Sequence, residues 1–479
     1  MDRMIHTGGT RTWDVVVIGA GVIGTAIAAR LSQTTARVLM LEAAGDVAEG
    51  ASKGNAGVAP SYYAAPGTLE ARLVSATYPR WPEVCRALDV PYRRLGGIIV
   101  ALDEEQAAAL PELCAEARGC GADAEILDGE AVRRLEPLVS EDAVAGLWMA
   151  EEGVIDPMRL TAAYAELAAR NGVELRFDSP VIAMDRDGAR VGAVVTPAGR
   201  FEARYVVNAS GVRLGELSAL AGGEAIRMWP RKGEYWLLDR EFGSRLQRIV
   251  FAAPAKESKG IHVVPTTHGN ALLGPSSDDR DEPDDKSTSE ERLRYVFEQA
   301  RRLVPSVSLD LAIKTFAANR PASEERTRVR LDAGVTNLLH VANRSSGVGS
   351  SLGTADYALD LLREAGLDVG ERPGAAASLP AVPRLHDHPA PETLTSIDPR
   401  YGQVVCVCEQ VSAAEIAAAL ESSVPARTLD GIRKRTRATG GRCQGAVCAA
   451  GVAFMCSLRY GLPPERIQAI DHGFLGVEP

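Results

Sequence analysis

DVVVIGAGVIG, residues 14–24, decides the fold. Asp14 to Ile18 reads as a short apolar strand. Gly19, Gly21 and Gly24 follow in the GxGxxG spacing, and TAIAARLSQ continues with a helical pattern. The first glycine permits a tight turn and the second lets a pyrophosphate approach the backbone. The third lets the helix pack close to the strand. The helix then points its first N–H groups at the phosphate. RVLMLE, residues 37–42, is a second strand, and Glu42 closes it 18 residues after Gly24, placed to accept hydrogen bonds from a ribose. A strand–turn–helix–strand unit of this kind opens a doubly wound α/β sheet.

The motif alone does not separate a flavin from a nicotinamide dinucleotide. No second GxGxxG follows a strand, which speaks against a separate nicotinamide site. RSSGVGSSLGTA, residues 344–355, is a second glycine-rich helix start, whose N-terminus could stabilise negative charge on a reduced flavin. An ordinary helix entry is the other reading.

At roughly 100–200 residues per domain, 479 residues suggest two to four domains, large enough for a core that needs no disulfides. A net charge of −10 argues against nucleic acid, which requires a basic patch. No apolar run approaches the ~20 residues of a membrane span, since VVVIGAGVIGTAIAA is broken by glycines. MDRMIHTGGTRTW has no apolar signal core, so a cytoplasmic location is expected. Downstream, SSDDRDEPDDKSTSEE reads as an acidic, solvated loop, and residues 370–398, rich in Pro and Ala, as a linker.

Three of the eight cysteines are scattered, and the other five fall between residues 406 and 456. A secreted disulfide scaffold would be short and cysteine-dense throughout. Here Cys406-x-Cys408 is followed, 34 residues on, by Cys443-x4-Cys448. Four thiolates can hold a [2Fe–2S] cluster or a zinc ion. Close spacing within each pair is expected to bring its two sulfurs to one side of the metal, with Gly440 and Gly441 letting the backbone curl around it. Cys456, in GVAFMCSLRY, reads as a core residue of an apolar helix.

Through DVVVIGAGVIG, GASKGNAGVAPSYYAAPGTLEARL, YVVNASG, PRKGEYWLLD, SKGIHVVPT and FAANRP, residues 12–368 resemble the D-amino-acid-oxidase-like FAD proteins. Within them the chain is most similar to FAD-dependent glycerol-3-phosphate dehydrogenases and L-2-hydroxyglutarate oxidases. The cysteine pattern resembles the bacterioferritin-associated-ferredoxin type of [2Fe–2S] domain. The resemblance implies an α/β (α+β) fold: a glutathione-reductase-type, Rossmann-like FAD domain (about 12–75, 150–215 and 335–368) interleaved with an antiparallel-sheet substrate domain (about 76–149 and 216–334). A linker (369–399) and a small helical [2Fe–2S] domain (400–479) follow. It also implies cofactor roles for Gly19, Gly21, Gly24 and Glu42 at the ADP half, and for Ser52, Lys53 and Asn55 along the pyrophosphate and flavin. Val181 would lie by the adenine, Ala209 and Gly211 behind the cofactor, and Gly347, Gly349 and Ser350 against the flavin ring. Cys406, Cys408, Cys443 and Cys448 would hold the cluster.

His262 and Arg320 are the substrate-side candidates that the resemblance supplies. Hydride transfer from an alcohol needs a base for the hydroxyl proton, which imidazole, with its usual pKa of ~6.5, suits. A guanidinium offers the bidentate fork that a carboxylate or phosphate needs. The plain alternatives are a half-buried strand histidine and an exposed loop arginine. The histidine that many relatives carry in an early VHAG-like stretch is absent, since Val58-Ala59-Pro60-Ser61 stands there. The expected activity is a dehydrogenase of a small anionic secondary alcohol (glycerol 3-phosphate or a 2-hydroxy acid such as L-2-hydroxyglutarate). Flavin plus cluster splits an electron pair into single steps for an external acceptor, a quinone or a redox protein. Oxidation of a C–N bond in an amino acid, imino acid or opine is the runner-up, and an electron-transfer subunit of such a complex the third reading. A homo-oligomer or a partner subunit fits either.

Overall fold

The structure, a computed structural model, describes residues 12–254 and 260–467. Ser258 and Lys259, the first two residues of SKGIHVVPT, lie outside the described residues, as do residues 1–11 of the N-terminal stretch and 468–479 of the C-terminal domain.

The strand Trp13–Ile18 sits in the middle of the first sheet. Val38–Leu41 and Gly199–Asn208 flank it, and Glu174–Arg176 and Leu338–Asn343 continue outward, all parallel. Both faces are covered, which is why the strand is an unbroken apolar run rather than an alternating one. Val15 and Val17 face the helices Val22–Ser32, Pro157–Arg170 and Ser351–Glu364. Val16 faces a second apolar layer with Val191, Val194, Phe201 and Leu217. The latter includes the antiparallel strands Ala183–Asp187 and Arg190–Thr196. All three valines are fully buried, worth roughly 1.5–3 kcal/mol each. Trp81, Cys85, Leu88 and Val90 join this same core, so the first domain reaches past the boundary near residue 75 that the sequence suggested.

The second sheet has nine strands. It is antiparallel except where Ile249–Ala252 runs parallel to Gly97–Ala101. Its longest ladder joins Trp229–Leu238 to Ala312–Ala322, with Arg231 opposite Arg320. FAANRP is therefore strand, not loop. The ladder persists through Pro321 because that residue stands opposite Pro230 near the ladder's end, where missing N–H donors are tolerated. His262–Pro265 and Ala271–Gly274 form the hairpin that IHVVPT and NALLGP suggest.

The stretch after residue 369 is tied down rather than loose. Arg372 donates to the carbonyls of Ser32, Thr34 and Ala36, Leu379 N–H to Ala87, and Arg384 pairs with Asp89. It leads to a module with the helices Ala413–Glu421, Leu429–Thr436 and Ala449–Tyr460. Ile416, Leu420, Ile432, Val452 and Cys456 fill its small core. Cys456 is completely buried there, as an apolar helix residue should be.

Candidate functional site: a groove, a cavity and four thiols

A groove of about 710 Å³ runs along the carboxyl end of the first sheet, where doubly wound folds bind ligands. Gly19 adopts φ +103°, and a Cβ there would lie 2.6 Å from the Ala209 carbonyl oxygen. A Cβ on Gly24 would run into the Gly19 carbonyl oxygen. Gly24 thus serves the packing of helix on strand, while Gly19 and Gly21 line the groove. Ser52 Oγ accepts from the Val22 N–H at 2.9 Å, at the helix entrance. Glu42 accepts from the N–H groups of Ala20 (2.6 Å) and Ala44 (2.9 Å). Burial raises its pKa against the opposing pull of those two donors. Lys53, Asn55, Val181, Ala209, Gly211 and Gly347 also line the groove.

Three expectations need correction. Ser350 lines neither the groove nor the adjoining cavity. Its hydroxyl takes the Asn343 amide (2.7 Å) and gives to the Ser346 carbonyl, both inside the core. Lys53 lines the groove, but its ammonium turns to Glu49 and to Asp430 of the C-terminal module. The acidic run is not simply a solvated face. Pro283, Asp284 and Lys286 line the groove, and Asn319 holds the run down through the carbonyls of Pro283 and Asp285.

A second cavity, about 990 Å³, opens from the groove. Asn55, Tyr235, Arg320, Arg344 and Ser345 line both, so they mark the junction. Gly349 faces this cavity, where a Cβ would lie 2.5 Å from Pro60 Cδ. His262 lines the cavity, its ring edge-on to Phe251 at 5.0 Å. Arg320 is braced by carbonyls, Nε to Arg231 (3.2 Å) and NH2 to Ser276 (2.9 Å). Among the described residues no carboxylate pairs with Arg320 or with Arg344, whereas Arg231 and Arg326 are paired to Asp279 and Glu70. Burial, then Arg326 and Arg231, push the Arg344 pKa down. Two guanidiniums at one junction, neither with a carboxylate at ion-pair distance among the described residues, suit an anion. Arg344 was not among the residues expected from the sequence, although it opens RSSGVGSSLGTA.

Glu152 is another. It lines the cavity and is 1% exposed. Its Oε1 accepts from Ser61 N–H and Oγ–H, both at 2.8 Å, while Oε2 has no partner. Burial carries its pKa up to about 7.

In the C-terminal module the thiols pair across the two motifs, Cys408 with Cys443 and Cys406 with Cys448. Cys406 lies on the strand that pairs with Val411–Ser412, and Cys408 lies in the turn beyond it. The N–H groups of Gly445, Ala446 and Val447 aim at Cys443 Sγ and lower its pKa. Among the described residues, four of the seven non-glycine residues with positive φ, Gln410, Arg437, Thr439 and Gln444, flank these cysteines, which concentrates backbone strain at this site. A tetrahedral zinc needs all four sulfurs within about 3.8 Å of one another. Among the described residues, no three cysteines meet within 4.8 Å. Two pairs suit two irons.

These features are those of a flavoprotein that carries an iron–sulfur module. The chain belongs to the FAD dependent oxidoreductase family, whose model matches residues 14–361, and residues 404–453 match the BFD-like [2Fe-2S] binding domain. Its cofactors are FAD and a [2Fe–2S] cluster. A glycerol 3-phosphate dehydrogenase from Caloramator mitchellensis is 31% identical over 468 residues, covering 96% of this chain and 97% of its own. One of the subunits of the anaerobic glycerol-3-phosphate dehydrogenase from Escherichia coli K12 is 27% identical, covering 94% of this chain and 89% of its own. The L-alpha-glycerophosphate oxidase structure from Mycoplasma pneumoniae, with FAD bound, superposes with a TM-score of 0.73 at 24% identity, covering 78% of this chain and all of that one. It shares the fold.

Proposed function

We propose that this chain oxidises glycerol 3-phosphate at its secondary alcohol and passes the electrons through the [2Fe–2S] cluster to an external acceptor. The observation that carries the reading is the pair of guanidiniums, Arg320 and Arg344, where cavity meets groove, neither held in an ion pair among the described residues. A phosphate dianion supplies the charge they lack. The relatives named above, which act on glycerol 3-phosphate by name, support the same substrate.

Bound FAD supplies a two-electron acceptor, and the cluster a one-electron carrier. The chain's own residues do the rest. Arg320 and Arg344 bind and orient the phosphate. His262, which lines the same cavity, takes the hydroxyl proton. Phe251 and Tyr235 exclude water around the reacting carbon. Cys406, Cys408, Cys443 and Cys448 would hold the cluster. The Escherichia coli relative is by name one component of a larger enzyme, which supports a partner protein in the role of acceptor. Among the described residues no helix is long and apolar enough to cross a membrane.

The test is an anaerobic visible spectrum during substrate addition. Glycerol 3-phosphate should bleach the flavin and then the cluster. Bleaching by an amino acid or an opine, with none by glycerol 3-phosphate, would sink the proposal. His262→Asn should slow flavin reduction by roughly 10²–10⁴-fold with little change in substrate affinity.

A further inference from the structure

The loop that carries Ser52 and Lys53 begins with two acids beside the groove. Asp46 is 2% exposed, and Glu49 lines the groove itself. Between them the Ala48 N–H donates to the carbonyl of Ala20, inside the glycine turn, at 3.0 Å. The loop therefore bears directly on the pyrophosphate site. Two carboxylates here repel a pyrophosphate unless cations offset them.

The cations come from the far end of the chain. Helix Leu429–Thr436 of the [2Fe–2S] module docks on this loop. Arg435 forms a bidentate pair with Asp46, at 2.8 and 2.9 Å. Lys434, with no exposed side-chain surface, pairs with Glu49 and donates to the Val47 carbonyl at 2.8 Å. Asp430 takes Lys53 at 3.2 Å. Gly431 permits the close approach, since a Cβ there would lie 2.6 Å from Asp46 Oδ2. Burial works to raise the Asp46 pKa, but Arg435 and Lys434 hold it down at about 2. Asp46, Glu49 and Asp430 face Lys53, Lys434 and Arg435 in a largely buried set, with Arg433 pairing Asp430 at its edge, 3.4 Å away.

We propose that the [2Fe–2S] module completes the FAD site: Lys434 and Arg435 are positioning residues that neutralise Asp46 and Glu49, so the groove retains FAD only with the module docked. Removing one partner of a buried pair leaves an uncompensated charge, which is more damaging than removing both. Here, without Lys434, Glu49 keeps only Lys53, which it shares with Asp430, so excess negative charge stands against the pyrophosphate. By linkage, bound FAD tightens the docking of the module and fixes the separation of the two redox centres. The inference rests on FAD occupying the groove.

FAD release on dilution, followed by the rise of free-flavin fluorescence, tests it, with cluster absorbance recorded on the same sample. Lys434→Met should speed release at least tenfold with the cluster retained. Glu49→Gln added to Lys434→Met should bring release back towards wild type. Unchanged release in the single variant overturns the proposal. If the single variant loses both chromophores, the double variant decides: FAD retained supports the proposal, and FAD lost overturns it. A wild-type chain that carried no flavin would instead overturn the assignment of the groove.

Discussion

The groove and the cavity meet at Arg320 and Arg344, but they are built in opposite ways. The groove is centred on a local unit, the glycine turn at 19–24, Glu42 closing the next strand and the loop 49–55, which later stretches such as 179–181, 209–213, 317–321 and 341–348 wall in. At Gly19 and Gly24 its tolerances are set by what a Cβ would strike. The cavity draws Tyr62, Glu152, Arg231, His262, Arg320 and Arg344 from separate strands and loops of both sheets. Its walls are side chains, and its character is set by charge. Backbone sites fail by collision, whereas side-chain sites fail by losing one interaction at a time.

Two substitutions pull this contrast apart. Gly24→Val drives a side chain into the Gly19 carbonyl and towards Ala209. We expect loss of bound FAD and a stability decrease of at least about 3 kcal/mol, read from flavin absorbance and a denaturant midpoint. Arg320→Ala should leave flavin content and stability near wild type but cut kcat/KM for glycerol 3-phosphate by about 10²–10³-fold. Arg320→Lys should recover only part, because the bidentate fork is lost. If Arg320→Ala instead emptied the groove, the cavity could not be regarded as a separate, charge-defined site.

The same contrast explains what the sequence could disclose. Gly19, Gly21, Gly24 and Glu42 were legible because their spacing is the geometry. The four cysteines were legible as a cluster in the sequence. That Cys408 lies beside Cys443 and Cys406 beside Cys448 was not, because Val404–Cys406 is strand and Cys408 lies in the turn beyond it. Arg344 opens a glycine-rich stretch and gave no signal there, because its meaning comes from standing beside Arg320, 24 positions earlier, where cavity meets groove. Arg320 was noticed, but as part of a loop, since only the register with Trp229–Leu238 shows FAANRP to be strand. The docking of Lys434 and Arg435 on Asp46 and Glu49 joins positions almost 400 apart, with no local signal.

The smallest effect separates two glutamates, one in each site, Glu42 half-buried and Glu152 buried. Glu42 has both oxygens occupied by backbone N–H groups. Glu152 has one oxygen occupied and one bare. Its folded pKa of about 7 lies above the ordinary carboxyl value of 4.5, so the folded chain keeps a proton that the unfolded chain releases. Stability from this residue is therefore fully present below about pH 4.5 and is lost as pH rises towards and past 7. Glu152→Gln removes the titrating group at similar size. The variant should match wild type near pH 5 and exceed it at pH 8, by up to about 3 kcal/mol. Urea midpoints at the two pH values measure this. Equal pH dependence in variant and wild type would mean that Glu152 ionises freely, and that the cavity wall around it is wetter than Ser61 and its neighbours make it. A midpoint lower at both pH values would mean that the Ser61 hydrogen bonds, rather than the buried charge, dominate at this wall.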